Sequence, residues 1–187
     1  IALRLVGSEM CIRDRDALDH LKNDKIMSFL IAKFENDITL TDRYESDYSK
    51  AIALLIIEQQ VSFKAALTIK KRFLTLIKNK SANEIIEIEN NKLQSIGISH
   101  RKVDYIKNTY LFIFENKIDF SKLNKKEVIK KLTEIKGVGK WTSEMFLIFI
   151  LFEKNIFSKG DLALINSIKV NYNTVSYTHL TLPTTAI

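Results

Sequence analysis

The residue types best suited to chemistry lie in Leu132-Thr-Glu-Ile-Lys-Gly137-Val138-Gly139-Lys140-Trp141-Thr142-Ser143-Glu144 and in a lone carboxylate, Asp161. Gly137-Val138-Gly139 forms a link between two apolar helical stripes. The first backbone N–H groups of a helix have no partner within it, and the helix dipole favours an anion there. Such a turn suits a phosphate and reads no base sequence. Lys140 adds a cation beside it, and Trp141 adds a flat face for stacking. Asp161 is either a helix N-cap or an anion set to stabilise developing positive charge. The stretch lacks the preceding strand and spacing of a dinucleotide fingerprint and the full pattern of an ATP loop.

These residues need rigid supports, and the apolar spacing supplies them. Val128, Ile129 and Leu132 recur at helical spacing before the link; Trp141, Met145, Ile148 and Phe149 do so after it. Two helices joined by Ile-Lys-Gly-Val-Gly-Lys make a compact hairpin, with Val138 pointing inward to tie them. Upstream, Asp24 is placed to cap a helix through Met27, Leu30, Ile31 and Phe34. Asp47 to Ile57 forms a dense apolar helix. Glu58-Gln59-Gln60-Val61-Ser62 interrupts it before a stripe of Ala65, Ala66, Ile69 and Phe73, with Ser62 a candidate cap. Further helices are predicted near Ala82 to Glu89, His100 to Glu115 and Lys125 to Glu134, with a break at Gly97. No sustained alternation argues for a sheet.

The 187 residues are 46% hydrophobic, enough for one core or two small lobes. Lys and Arg outnumber Asp and Glu by 29 to 22, a net +7 that suits a polyanionic partner without identifying one. One cysteine, Cys11, cannot form an internal disulfide, so a reducing compartment fits. The apolar runs fall well short of a membrane span. No residue cluster has zinc or iron–sulfur spacing.

Both ends differ from the body. Ser8-Glu-Met-Cys-Ile-Arg-Asp-Arg15 and Val175-Ser-Tyr-Thr-His-Leu-Thr-Leu-Pro-Thr184 resemble peptides produced when sequencing-adapter DNA is translated. Residues 1–15 and 175–187 are therefore set aside as artefactual segments, leaving 16–174 as an incomplete helical domain. The three basic and two acidic residues of 1–15 account for one unit of the charge, so the basic bias belongs to the body.

Residues 132–144 resemble the helix-hairpin-helix of the DNA glycosylase superfamily, and Trp after Gly-x-Gly-x is similar to the 3-methyladenine DNA glycosylase II family. Two other stretches agree in order. Ala53-Leu-Leu-Ile-Ile-Glu-Gln-Gln-Val-Ser-Phe-Lys-Ala-Ala66 resembles the family's Gln-containing segment at the lesion. Leu93-Gln-Ser-Ile-Gly-Ile-Ser-His-Arg-Lys-Val-Asp-Tyr-Ile106 resembles its Leu-Gly-x-x-x-x-Lys-x-x-Tyr-Ile segment. The resemblance covers about 19–170 and implies an all-α, two-lobed helix-hairpin-helix DNA glycosylase fold, here truncated at both ends.

The resemblance implies roles residue by residue. Asp161 becomes the catalytic carboxylate, stabilising positive charge on the sugar as the N-glycosidic bond breaks. Trp141 stands where lyase-active relatives of endonuclease III carry a catalytic Lys; lacking an amine, it implies hydrolysis without a Schiff base. Trp141 and Met145 would line the base pocket, although Met145 replaces an expected aromatic and core packing is its simpler role. Gly137, Val138, Gly139, Lys140 and Thr142 would meet DNA phosphate. Gln59, Gln60, Val61 and Ser62 would form the lesion loop, with Gln60, or Val61 after a one-residue slip, filling the gap left by a flipped nucleotide. Glu58 replaces a glycine usual before the Gln and needs a partner if it points inward. His100, Arg101 and Lys102 make a basic helix start, solvated or on DNA.

Taken together, the expectation is a monomeric, monofunctional glycosylase acting on double-stranded DNA that contains alkylated purines such as 3-methyladenine. No cofactor is implied beyond a monovalent cation at the hairpin carbonyls, and no membrane. The expected location is cytoplasmic, on the nucleoid of a prokaryote. The alternatives are a non-catalytic helix-hairpin-helix DNA-binding module and a helical scaffold in which the Gly turn and Trp are structural.

Overall fold

The computed structural model describes residues 16–34 and 43–173. The terminal stretches 1–15 and 175–187 lie outside the described residues. Regular structure among the described residues is helical throughout. The chain divides into two compact units, one of Arg43–Asp161 and another that includes residues 16–34 and 162–173.

Within Arg43–Asp161, the central element is α2 (Tyr48–Glu58), preceded here by α1 (Lys25–Phe34) of the other unit. Asp47 caps α2 by accepting the Lys50 N–H. Ala51, Ile52, Ala53, Leu55, Ile56 and Ile57 are all buried, which a helix apolar on most sides requires. α2 packs against α3 (Phe63–Ile77), α6 (His100–Asn116) and α8 (Lys140–Phe149). Ser62 caps α3 by accepting the Ala65 N–H, as its position suggested.

The helix expected near 82–89 ends early, as α4 (Ala82–Ile86), and a further short helix, α5 (Asn90–Ser95), follows beyond it. A capping box of Ser81 and Glu84 starts α4, and a five-residue helix cannot carry itself without packing, here against α6. α6 ends at Lys117 in the left-handed conformation. A 3₁₀ turn (Phe120–Lys122) leads to α7 (Lys125–Thr133), which begins with a second capping box, Asn124 with Glu127. α7 and α8 pack on one another as the hairpin pair. Tyr48, Phe120 and Phe146 interlock edge to face with ring centroids 5.3–5.6 Å apart, joining α2, the 3₁₀ turn and α8.

In the other unit, Asp24 caps α1 by accepting the N–H groups of Ile26 and Met27. It also accepts the Tyr172 hydroxyl from α9 (Leu162–Tyr172) at 2.9 Å. The Met27 N–H, then the Tyr172 hydroxyl, hold the Asp24 carboxyl below its ordinary range.

Candidate active site

The hairpin owes its shape to close packing. Val138 donates its N–H to the Ile135 carbonyl at 3.0 Å, and both side chains are buried between the helices. Gly137 has φ +92°, and a Cβ there would lie 2.1 Å from the ring of Tyr105 on α6. Only glycine fits both the conformation and the contact. Gly139 is different: its φ of −100° and ψ of −174° suit any residue, and a Cβ would meet nothing within 4 Å. As N-cap of α8 it supplies no side-chain cap. The first N–H groups of α8, Lys140 to Thr142, therefore need a partner from outside the helix, and open space lies beside Gly139. The Lys140 side chain is 78% exposed, 3.8 Å from Glu144 Oε1.

The interruption between α2 and α3 is anchored to this hairpin. The Gln59 side-chain amide donates to the Gly137 carbonyl and to Thr142 Oγ1, each at 3.0 Å. Lys102, on α6, donates to the carbonyls of Ile57 at 2.9 Å and Gln59 at 2.5 Å. A cation at the negative end of α2 satisfies carbonyls that the helix leaves open, and burial pushes the Lys102 pKa down. Gln60 follows with φ 54°, exposed together with Val61 and Ser62. The two glutamines thus separate: Gln59 holds the loop, and Gln60 stands at its tip. Phe63 is 80% exposed in the first turn of α3, an apolar ring outside the core that the helical pattern had not singled out.

Glu58 points inward and has its partners. Arg43 Nη2 contacts Glu58 Oε2, and Lys70 Nζ lies 2.6 Å from Oε1. The Arg43 guanidinium also stacks 4.1 Å from the Phe149 ring centre. The carboxylate that would have been awkward beside DNA is thereby neutralised within the protein.

Asp161 and Trp141 meet. The indole N–H of Trp141 donates to Asp161 Oδ2 at 3.1 Å, and both residues are half-buried. Asp161 also donates its backbone N–H to the Ser158 carbonyl at 3.1 Å. Two other expected site residues are turned inward. Thr142 is 2% exposed and its hydroxyl is engaged by Gln59, which leaves its backbone N–H, not its side chain, for a phosphate. Met145 is 5% exposed among the core residues, so dense packing rather than a base surrounds it. A 460 Å³ concavity lined by Asp47, Lys50, Lys78, Lys80 and Tyr110, among others, includes none of the candidate site residues.

Sequence reading missed the Lys102 clamp and the buried pair Glu144–Ser158, in which the Ser158 hydroxyl donates to Glu144 Oε2 at 2.6 Å. Both join residues far apart in the chain, and neither leaves a local pattern.

Residues 53–169, which hold the loop, the hairpin, Trp141 and Asp161, match the HhH-GPD superfamily base excision DNA repair protein family. The chain belongs to the HhH-GPD superfamily. This HhH-GPD chain is 33% identical over 118 residues to DNA-3-methyladenine glycosylase 1 of Schizosaccharomyces pombe, covering 59% of this chain and 52% of that one. It is 33% identical over 131 residues to DNA-3-methyladenine glycosylase of Saccharomyces cerevisiae, covering 63% and 44%. The chain thus spans about half the length of these curated relatives. Among solved structures, it resembles the Schizosaccharomyces pombe 3-methyladenine DNA glycosylase in complex with abasic DNA. That likeness has a TM-score of 0.76 and 26% identity, over 84% of this chain and 81% of the other.

The HhH-GPD hairpin therefore has a helix start without a side-chain cap and, on Trp141 of that helix, an indole hydrogen-bonded to a carboxylate. Among the described residues no group of three or more His, Cys, Asp or Glu is placed to hold a metal ion, and no helix is long and apolar enough to cross a membrane.

Proposed function

We propose that this HhH-GPD domain is the catalytic domain of a monofunctional DNA glycosylase that hydrolyses the N-glycosidic bond of alkylated purines, 3-methyladenine first among them. The observation that carries the reading is the Trp141–Asp161 hydrogen bond at 3.1 Å, in the first turn of a helix whose start is uncapped and open. Relatives named for 3-methyladenine support the choice of base.

In this reading a DNA phosphate docks against the N–H groups at the start of α8, with Lys140 nearby. Gln60, at the exposed tip of the loop, enters the stack as the damaged nucleotide leaves it. The flipped base packs against Trp141, where the positive charge of an alkylated purine adds a cation–π contribution to stacking. As the C1′–N bond breaks, its electron pair leaves with the base and positive charge collects on the sugar. Asp161 stabilises that charge and orients water, whose hydroxide adds to C1′ while its proton passes to the Asp161 carboxylate. The products are a free base and an abasic site. No amine stands at position 141 for a Schiff base, so strand cleavage by that route is not expected.

A monovalent cation fits the hairpin. The Ile135 carbonyl accepts the Val138 N–H and the Gly137 carbonyl accepts the Gln59 amide, and each keeps a second lone pair. Carbonyls of 135–138 would hold the ion, which would add positive charge facing the phosphate.

The test measures base release from duplex DNA carrying 3-methyladenine, comparing the protein with its Asp161→Asn form. Release by the former and its loss in the latter is the expected result. Equal release from both would sink the catalytic assignment, and DNA binding without any release would leave a phosphate-binding module. A borohydride-trapped covalent intermediate would overturn the base-only mechanism.

A further inference from the structure

Glu144 is a carboxylate with no part in the scheme above, yet it is 8% exposed and sits one turn beyond Trp141 on α8. A buried carboxylate is costly unless its oxygens are satisfied. Here one oxygen accepts the hydroxyl of Ser158 at 2.6 Å, with Ser158 itself 1% exposed, and the other faces Lys140 Nζ at 3.8 Å. Ser158 in turn accepts the Asp161 N–H on its carbonyl.

The spacing gives these contacts a common purpose. Trp141 and Glu144 are three residues apart on α8; Asp161 and Ser158 are three residues apart in the segment that follows, in the opposite direction. Trp141 holds Asp161 and Glu144 holds Ser158, two rungs between a helix turn and a short antiparallel stretch. Residues 151–160 contain no helix, and Phe152 and Asn155 have positive φ. Regular structure therefore does not fix the acid, and side-chain hydrogen bonds have to. Misplacement of a reacting group by about 1 Å can cost on the order of 10²-fold in rate.

We propose that Glu144 and Ser158 form a positioning pair that sets the Asp161 carboxylate against Trp141, and so against the sugar, without touching substrate. The proposal rests on the catalytic reading of Asp161. Glu144 keeps Ser158 at the base of the turn, and the Ser158 carbonyl fixes the backbone from which the acid projects.

The experiment compares single-turnover base release, affinity for abasic duplex DNA and thermal midpoint in the unaltered protein, Ser158→Ala, Ser158→Thr, Glu144→Gln, Asp161→Asn and the Ser158→Ala/Asp161→Asn double variant. Ser158→Ala is expected to lower the release rate by about 10²-fold with DNA affinity held within about twofold. Ser158→Thr keeps the hydroxyl, and Glu144→Gln keeps an acceptor oxygen, so each should restore most of the rate. The double variant should release base no more slowly than Asp161→Asn alone, because the pair acts through that acid. Full rate in Ser158→Ala beside a dead Asp161→Asn would overturn the pair and leave the catalytic assignment standing. Rate losses that track the thermal midpoint, or that add in the double variant, would also overturn it. Undiminished release by Asp161→Asn would remove both.

Discussion

The hairpin at 134–139 and the segment at 150–161 flank the same helix, but different forces hold them. Packing sets the hairpin: Gly137 lies flush against the Tyr105 ring, and Ile135 and Val138 are buried between α7 and α8. The acid-bearing segment has no helix; Ile150 is buried, Leu151 and Ile156 pack on the core and Phe152 stacks on Tyr44. Its polar end is set by directed contacts, Trp141 to Asp161, Ser158 to Glu144, and Lys125 to Glu153 at 3.1 Å. Packing fixes where a backbone runs and tolerates small slips poorly because interiors are dense. Hydrogen bonds fix which way one oxygen points. In the function proposed, a phosphate cradle made of N–H groups would need the first, and a single catalytic carboxylate the second.

The sharpest break in this comparison is Asp161→Asn. Removing the charge while keeping the shape should lower base release by about 10³-fold, and affinity for undamaged or abasic duplex should stay nearly unchanged, read by fluorescence anisotropy. A large loss of affinity instead would mean that Asp161 supports the DNA surface, and the division of labour between the two regions would fail.

Gly137→Ala tests the packed side. The new Cβ would meet the Tyr105 ring, and φ +92° strains any side chain, so the two costs together come to about 3 kcal/mol. The thermal midpoint should fall by roughly 10 °C. A stable variant with normal DNA binding would show that the ring can move aside and that packing does not fix the turn.

The unequal forces also explain what the chain reveals before it folds. Helical periodicity and the hydroxyl and carboxylate caps are local, so α2, α3, α6, α7 and α8 were legible, as were the caps at Asp24 and Ser62. The helix after Ser81 stops at Ile86, short of Glu89, and Asn90–Ser95 was not foreseen, because the pattern does not show where tertiary packing stops a short turn. Resemblance supplied Trp141 and Asp161 as candidates, and their hydrogen bond brings them together. Thr142 was expected to meet phosphate and Met145 to line the base pocket, although core packing was the simpler role for Met145. Their faces of that helix point into the core, a distinction of register that spacing alone did not settle. Lys102 reaches the end of α2 across 43 residues, and Glu144 reaches Ser158 across 14. Contacts of that kind are products of the fold.

Gln59 joins the loop between α2 and α3 to the hairpin, and its removal should have an intermediate effect. Gln59→Ala would strip partners from the buried Thr142 hydroxyl and the Gly137 carbonyl, costing about 2 kcal/mol. Faster hydrogen exchange at 59–62 should accompany a lower thermal midpoint, while the Trp141–Asp161 contact is untouched. A release rate reduced more than the stability explains would couple the loop to the acid and weaken the separation of the two regions.

Gly139→Ala has the smallest expected effect and isolates the phosphate site most cleanly. At Gly137 the protein itself excludes a methyl group; at Gly139 it does not, since the backbone is extended and the space is open. Alanine is a poorer N-cap than glycine but restricts the unfolded chain, and these terms offset to within about 1 kcal/mol. Stability should therefore hold within roughly 3 °C. A methyl group beside the first N–H groups of α8 would nevertheless keep a phosphate from close approach, and DNA affinity should fall by about tenfold, or about 1.4 kcal/mol. Because a phosphate contact carries no sequence information, the loss should be equal for damaged and undamaged duplex. A loss confined to damaged DNA would move Gly139 from the phosphate cradle to the base pocket, and unchanged affinity would mean that DNA does not approach this turn.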